Sequence, residues 1–555
     1  MKIIEKNKIL LGIIISSIIL IGFLLRFLNF SSVVTDNMVQ LKGADAYFFT
    51  RQAQLINEFG DLPAIDQNIC FPDGYANQRE AILYPFLISA LSGLGSIDSV
   101  TAYLSPILAL IVSVFVLLIL IELMPHKWNA ILVGVGVISF TGIQYLARSY
   151  FGFGDRHILE VALLTIGLYF LIKAWNRENI YWAVASGVAF ALYQLTWSQT
   201  SLVVLLLVIS IFAYYLFTPK VSKKFTIINI IFLALQIPAG IWANYEQSIG
   251  ISLIGIVIII SGYFINIKLK KQSHKLWSTL VIAILGLIIA NIFFGEFTSK
   301  LSNIIFGFLG PKTDGPVVSE AQPMLSIYSE ITLLPPNVVF FQLTLFALSL
   351  WGFVKMLNGK NLIIALFGLF IAALSFHRIR SEYYFVVLSA ISLSYLTLTN
   401  PKLFKYFIIL IIGFALTFYI SWVGDLKNQQ SSLAFTSADY KMANWMKENL
   451  PAQNLDDPSR VGVLADWQLG YLYTYIASQP LLAEPNFCNN LKPIEFFLMQ
   501  DEEKAFQYAK DNRIKYIITK ELDYSKYYYY LSQTGASDDF GIVKAQYFGK
   551  ESIYY

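Results

Sequence analysis

Four residues in this chain have the chemistry of a reaction centre, and they lie far apart in sequence. They are Asp45 in Gly-Ala-Asp-Ala-Tyr, Asp155 and His157 in Phe-Gly-Phe-Gly-Asp-Arg-His, and Glu320 in Val-Val-Ser-Glu-Ala-Gln-Pro. Each sits in a short polar stretch between apolar runs. Carboxylates and an imidazole meeting at a membrane edge suit a divalent cation, with Asp45, Asp155 and His157 as ligands. Glu160 follows one turn into the apolar run. An acid is costly there without a partner, so it is read as a support for the ligands. Glu320 lies in a stretch with Gly307, Gly310, Gly315 and Pro316. A glutamate on such a loop suits a site completed when substrate binds. Taken singly, each motif also suits an ordinary solvated loop.

Further candidates are cationic or aromatic. Arg378 and Arg380 occur in His-Arg-Ile-Arg-Ser-Glu, just before an apolar run. A guanidinium at a membrane surface suits a phosphate or carboxylate, or simply a lipid headgroup. In Leu-Ala-Asp-Trp-Gln-Leu-Gly-Tyr, Trp467 directly follows a short strand-like run, which equally fits a core tryptophan. Asp523-Tyr-Ser-Lys526 opens a polar, aromatic helix pattern that also fits a charged surface.

The elements that must position these residues are mostly membrane spans. Of 555 residues, 56% are hydrophobic and 14% charged, a balance outside the soluble norm. Apolar runs long enough to cross about 30 Å of hydrocarbon recur. They predict thirteen spans, near 8–28, 99–122, 129–146, 157–174, 179–197, 200–217, 225–242, 249–267, 276–294, 336–354, 361–376, 382–398 and 403–423. The stretch 81–97 is apolar but interrupted by Pro85, and is read as an interfacial helix.

Lysines mark every second loop: Lys127; Lys173 with Arg177; Lys220, Lys223 and Lys224; Lys268 to Lys275; Lys355 and Lys360; Lys402 and Lys405. The positive-inside rule places these loops and the amino terminus in the cytoplasm. All four reaction-centre candidates then face outside, as do loops 30–98 and 295–335. The first span lacks a small-residue cleavage site and reads as a signal anchor in a plasma-membrane protein. The two cysteines, Cys70 and Cys488, both fall outside, where an oxidising compartment permits pairing; they are read as unpaired thiols.

Composition changes after residue 424, so the chain divides into a membrane domain (1–424) and an extracytoplasmic α/β domain (425–555). In the second, Thr436 or Ser437 caps a helix across 438–449, Val461–Leu464 and Tyr516–Thr519 read as strands, and 491–511 reads as helical.

Together these segments resemble the catalytic subunit of the N-oligosaccharyltransferases, in its single-chain archaeal and bacterial form. Gly-Ala-Asp-Ala-Tyr resembles the family's first acidic motif and Gly-Phe-Gly-Asp-Arg-His its second. Val-Ser-Glu-Ala-Gln-Pro resembles its Thr-Ile-x-Glu motif, and Arg380 matches the arginine before the twelfth span. The resemblance implies a polytopic α-helical membrane protein of the GT-C type, with about thirteen spans and an extracytoplasmic α/β domain. It implies transfer of a glycan from a polyprenyl-linked donor to an asparagine of a translocated polypeptide. In that reaction Asp45 and Glu320 would activate the amide, Mn²⁺ or Mg²⁺ would sit on Asp45, Asp155 and His157, and Arg380 would hold the lipid phosphate with Arg378 behind it. The chain would act as a single catalytic subunit among membrane lipids, with no nucleic-acid partner.

One motif departs from the family. Where the family has Trp-Trp-Asp-Tyr-Gly, which binds the acceptor hydroxyl, this chain has Asp466-Trp467-Gln468-Leu469-Gly470. Gln468 can accept a hydrogen bond but carries no charge. Lys526 loosely matches the archaeal helix residue that completes that pocket. Three other readings stay open: a related membrane glycosyltransferase acting on Ser, Thr or a lipid; a glycolipid transporter; and a non-catalytic paralogue. A transporter is expected to carry charges near mid-membrane and paired broken helices, whereas these acids gather at loop ends.

Overall fold

The computed structural model describes residues 8–35, 38–77, 81–197, 200–269, 271, 274, 278, 336–377, 381–427, 435–451, 457, 459–466, 469–483, 491–497, 499, 501–520 and 551–554. Glu320, Arg378, Arg380, Trp467, Gln468, Lys526 and Cys488 lie outside the described residues, as do the expected span 276–294, residue 278 apart, and the loop 295–335.

A helical bundle forms most of the molecule. Its first part comprises α1 (Lys8–Leu25), α2 (Ala44–Phe59), α3 (Leu83–Leu91), α4 (Ile97–Leu123), α5 (Trp128–Phe140), α6 (Ile143–Arg148) and α7 (His157–Arg177). Next come α8 (Ile180–Gln194), α9 (Thr200–Phe217), α10 (Lys223–Ala234), α11 (Ile237–Trp242) and α12 (Glu246–Lys268). The series ends with α13 (Pro336–Met356), α14 (Asn361–His377), α15 (Glu382–Thr399) and α16 (Phe404–Lys427). Among the described residues, eight helical segments are long and apolar enough, by length and composition, to cross a membrane. Twelve of the thirteen expected spans coincide with helices.

Local chemistry sets the helix ends. Ser96 accepts the Ser99 N–H and starts α4. The 225–242 run is two helices, because Gln236 turns the chain and Pro238 opens α11. The 129–146 run also divides. α5 stops at Phe140, and Gly142, with φ of 90°, starts the six-residue α6 in a new direction. α3 has nine residues, about 14 Å at 1.5 Å per residue, too short to span.

The main core is a continuous apolar cluster running from α1 to the carboxyl-terminal domain, with two small satellites around Leu55–Ile56 and Trp197. Around the site, α7 packs on α4 and α8, and α15 packs on α5 and α13. α15 is buried along almost its whole length, so it forms the centre of the bundle.

Between α1 and α3 lie two short antiparallel hairpins, β1 (Val34–Thr35) with β2 (Met38–Val39) and β3 (Ile65–Asp66) with β4 (Tyr75–Ala76). The carboxyl-terminal segment is α/β. It has α17 (Ser437–Asn449), β5 (Gly462–Leu464), α18 (Gly470–Ala477), α19 (Leu491–Phe497), α20 (Glu502–Asp511), β6 (Ile514–Lys520) and β7 (Glu551–Tyr554). Thr436 and Asp439 form a reciprocal capping box at α17. β5 and β6 pair in parallel, and β7 adds antiparallel to β6. The expected helix 491–511 is two helices, because Asp501 caps a fresh start by accepting the Glu503 and Lys504 N–H groups.

This segment docks on the loop between α1 and α4. Phe71 N–H donates to Leu481 O at 2.9 Å, and Leu481 N–H donates to Asn68 O at 3.0 Å. Tyr475 donates to Asp98 at 2.7 Å, and Tyr440 donates to Leu41 O at 3.0 Å. Cys70 is disulfide-bonded, which corrects the reading of two free thiols; the chain's other cysteine is Cys488.

Candidate active site

Two acidic motifs meet at one end of the bundle, and glycines let them meet. Gly43, with φ of 89°, reverses the chain before α2, whose first turn carries Asp45. Lys42 N–H donates to Gly152 O at 2.8 Å, so the strand leading to Asp45 lies beside the second motif. Gly154 presses against α2 and α4. A Cβ there would stand 2.3 Å from the Thr101 methyl and 3.1 Å from Ala46 Cβ. Ala46 and Gly154 are the immediate neighbours of Asp45 and Asp155, so this contact sets the approach of the two motifs. Burial pushes the nearby Lys42 ammonium below its ordinary value.

Asp155 is buried, at 3% exposure. Its Oδ2 is ion-paired with Arg148 and lies 3.6 Å from His157 Nε2. Its Oδ1 is buried without a hydrogen-bond partner. His157 Nδ1 is anchored on its other side, 3.1 Å from Glu160 Oε1 and 3.0 Å from the Tyr383 hydroxyl. The ring stacks on Tyr383 at 5.0 Å between centroids and meets Trp197 edge-on at 5.7 Å. Tyr384 donates to Glu160 Oε2. A carboxylate is the stronger partner for Nδ1–H, and that bond leaves the Nε2 lone pair facing Asp155.

These contacts bear on a cation. A metal-binding histidine usually turns its other ring nitrogen to a carboxylate, and His157 Nδ1 stands within hydrogen-bond distance of Glu160. The partnerless Oδ1 of Asp155 beside Nε2 gives an oxygen and a nitrogen donor in one place. The residues therefore fit a divalent ion. Among the described residues, however, no three His, Cys, Asp or Glu side chains already stand at cage spacing. One physical reason is that the Arg148 guanidinium holds the Oδ2 edge of Asp155.

Four supporting residues were not singled out from sequence: Arg148, Glu382, Tyr383 and Tyr384. Glu382 accepts the N–H groups of Ile143 and Gln144, each at 2.8 Å, and the Gln342 amide at 2.6 Å. It thereby caps α6, whose last residue is Arg148. The first turn of α15 thus holds both sides of the second motif, Arg148 through α6 and His157 through Tyr383. A glutamate opening an apolar run was the available signal. Of the residues expected to meet the acceptor, Asp466 is buried directly after β5, and its carbonyl accepts the Leu469 N–H at 2.9 Å.

No family model matches the chain. Two curated relatives from Archaeoglobus fulgidus are similar over nearly all of it. Dolichyl-phosphooligosaccharide-protein glycotransferase 3 is 23% identical, covering 92% of this chain and 69% of the relative. Dolichyl-phosphooligosaccharide-protein glycotransferase 2 is also 23% identical, covering 91% and 86%. Among solved structures, the A. fulgidus oligosaccharyltransferase AglB with an inhibitory peptide and a dolichol-phosphate matches with TM-score 0.75 at 19% identity, covering 93% of this chain and 70% of that one. The A. fulgidus enzyme complexed with Zn and sulfate matches with TM-score 0.68 at 18% identity, covering 92% and 69%. The chain is a polytopic helical membrane protein with the fold of the A. fulgidus oligosaccharyltransferase. Within that class it resembles the single-chain archaeal type.

Proposed function

We propose that this protein transfers a glycan from a polyprenyl phosphate or diphosphate to the side-chain amide of an asparagine in a polypeptide. The carrying observation is the junction of the Asp45 and Asp155–His157 motifs through Gly154, in a fold shared with solved oligosaccharyltransferases. In the transfer, the bond from the anomeric carbon to phosphate oxygen breaks and a bond to the amide nitrogen forms. The phosphate leaves with the electron pair, and the amide nitrogen loses one proton.

An amide nitrogen is a poor nucleophile because its lone pair is delocalised. Asp45 and Glu320 would accept its two N–H bonds and polarise it. Asp45, Asp155 and His157 would hold Mn²⁺ or Mg²⁺, and the imidazole in the set favours Mn²⁺. When bound, the ion supplies positive charge beside the leaving phosphate. Glu160, Tyr383 and Tyr384 keep the His157 ring oriented, and Arg148 holds Asp155. Arg380, with Arg378 behind it, would neutralise the lipid phosphate. Asp466, Trp467, Gln468 and Lys526 would line the acceptor pocket. The lysine-rich loops would face the cytoplasm and the site the other compartment.

The test is to incubate the purified protein with a lipid-linked glycan, Mn²⁺ and peptides bearing Asn-x-Thr, Asn-x-Ala or threonine alone, and to locate the sugar by mass spectrometry. Sugar on asparagine of the Asn-x-Thr peptide is the expected result. Sugar on threonine would overturn the asparagine assignment, and the change from Asp to Gln in the acceptor motif gives that second reading its footing.

A further inference from the structure

Arg26 is the feature that the transfer reaction leaves unexplained. It follows α1, inside an apolar segment that runs from Ile9 to Val33, and it is 1% exposed. Its Nε donates to Ser149 Oγ at 3.0 Å, and its Nη1 donates to Gly22 O and Ser139 O. Its guanidinium lies 5.5 Å from the Tyr145 ring centroid. Its Nη2 has no hydrogen-bond partner, and among the described residues no carboxylate pairs with it. A buried cation in a membrane domain without an acid beside it leaves an excess positive charge in a low-dielectric place.

An apolar groove of 640 Å³ lies between α1, α5 and α16. Leu25, the residue before Arg26, lines it, as do Phe140, the residue after Ser139, and Tyr419. The Arg26 charge is within electrostatic reach of the Tyr419 hydroxyl. The groove follows α16 from Ile408 to Ile420, which at 1.5 Å per residue is about 18 Å. One leaflet of hydrocarbon is about 15 Å deep, half of ~30 Å. Its rim on α16 is open to the surroundings: Ile412, Leu416 and Ile420 are 52%, 57% and 70% exposed. The groove is therefore a single-leaflet trough, apolar along its length, with Arg26 buried directly behind Leu25 at one end.

We propose that this groove binds an anionic phospholipid of the bilayer, one acyl chain lying between α1, α5 and α16 and the phosphate drawn to the Arg26–Tyr419 end. Charge complementarity selects the anion, since Nη2 has two N–H donors to spare and phosphate oxygens accept them. The trough's length selects an acyl chain over a polyprenyl chain, which extends beyond one leaflet. The proposal is independent of the transfer reaction, in which neither Arg26 nor any residue lining the groove takes part.

The test uses the full chain in a non-ionic detergent. Phosphatidylglycerol or phosphatidylcholine with identical acyl chains is added, and bound lipid is counted by native mass spectrometry. Phosphatidylglycerol is expected to bind at least tenfold more tightly than phosphatidylcholine. Ala415→Phe, which fills the trough from α16, should lower that binding at least tenfold with an unchanged unfolding midpoint. Arg26→Gln should remove most of the preference for the anionic lipid. Equal binding of the two lipids, or full binding by Ala415→Phe, would overturn the proposal even if Arg26→Gln fails to fold. Displacement of phosphatidylglycerol by an equimolar polyprenyl phosphate would also overturn it, because the groove would then belong to a donor lipid.

Discussion

Asp155 has two duties that a substitution separates poorly, since it neutralises buried Arg148 and faces His157 Nε2. Asp155→Ala removes one partner of buried Arg148, and breaking a buried pair costs on the order of 3–5 kcal/mol of stability. Its loss of transfer would therefore be partly a loss of fold. Tyr383→Phe is the cleaner probe. It keeps the stacked ring at 5.0 Å and removes only the hydroxyl at 3.0 Å from Nδ1. Supports of this kind are worth about 10–100-fold in metal affinity. The Mn²⁺ concentration for half-maximal transfer should rise about tenfold in Tyr383→Phe with the unfolding midpoint nearly unchanged, and should rise more in Glu160→Gln, which also weakens the partly buried pair with Arg156. An unshifted Mn²⁺ dependence in both variants would remove His157 from the ligand set. Asp45, Asp155 and His157 were legible as chemistry because acids and an imidazole are rare between apolar runs. Tyr383 and Tyr384 were not, because tyrosine is common in membrane helices and only the packing of α15 on α7 gives these two hydroxyls a purpose.

At the scale of elements, the site depends on α6 and on the contact at Gly154. Glu382 accepts two N–H groups at the start of α6. Glu382→Gln keeps one acceptor and turns an amide N–H₂ towards the other N–H. Leaving a buried donor unpaired costs about 1–3 kcal/mol, and the freed end of α6 displaces Arg148. We expect turnover to fall at least tenfold while the unfolding midpoint drops only modestly; a midpoint shift without a turnover change would make Glu382 merely structural. Gly154→Ala should be more severe, since its Cβ would stand 2.3 Å from the Thr101 methyl. Thr101→Ser removes that methyl and keeps the hydroxyl that bonds Ile97 O at 2.9 Å. The double variant should therefore recover part of the transfer that Gly154→Ala loses, and no recovery would place the clash elsewhere. Long apolar runs made α4, α7, α9 and α12 readable, since period and length alone define them. The breaks were missed where one residue type outweighed hydropathy: Gly142 ended the 129–146 run early, and Gln236 with Pro238 divided the 225–242 run.

For the whole molecule, the question is what holds the carboxyl-terminal domain over the site. Its strands were legible from short β-branched runs, but its seat was not, because docking depends on contacts hundreds of residues apart. Tyr440 donates to Leu41 O and shares a hydrogen bond with the Tyr47 hydroxyl, two residues beyond Asp45. Burial pushes the Tyr47, Tyr440 and Tyr475 hydroxyls above the ordinary tyrosine value; the Tyr440 charge adds to the effect at Tyr47, and the Asp98 charge adds to it at Tyr475. The docked state therefore keeps these protons at a pH where an undocked tyrosine, near 10, gives them up. Docked protein then binds more protons than undocked, so stability falls as pH rises. Their contribution should be complete below about pH 10 and should be lost progressively above it. The unfolding midpoint should accordingly be flat through neutral and mildly alkaline pH and should fall steeply beyond about 10. Tyr440→Phe should start lower, by about 1 kcal/mol for a lost buried hydrogen bond, and should decline less steeply over the same alkaline range. If the two proteins lose stability in parallel across that range, the tyrosine cluster does not hold the domain on the bundle.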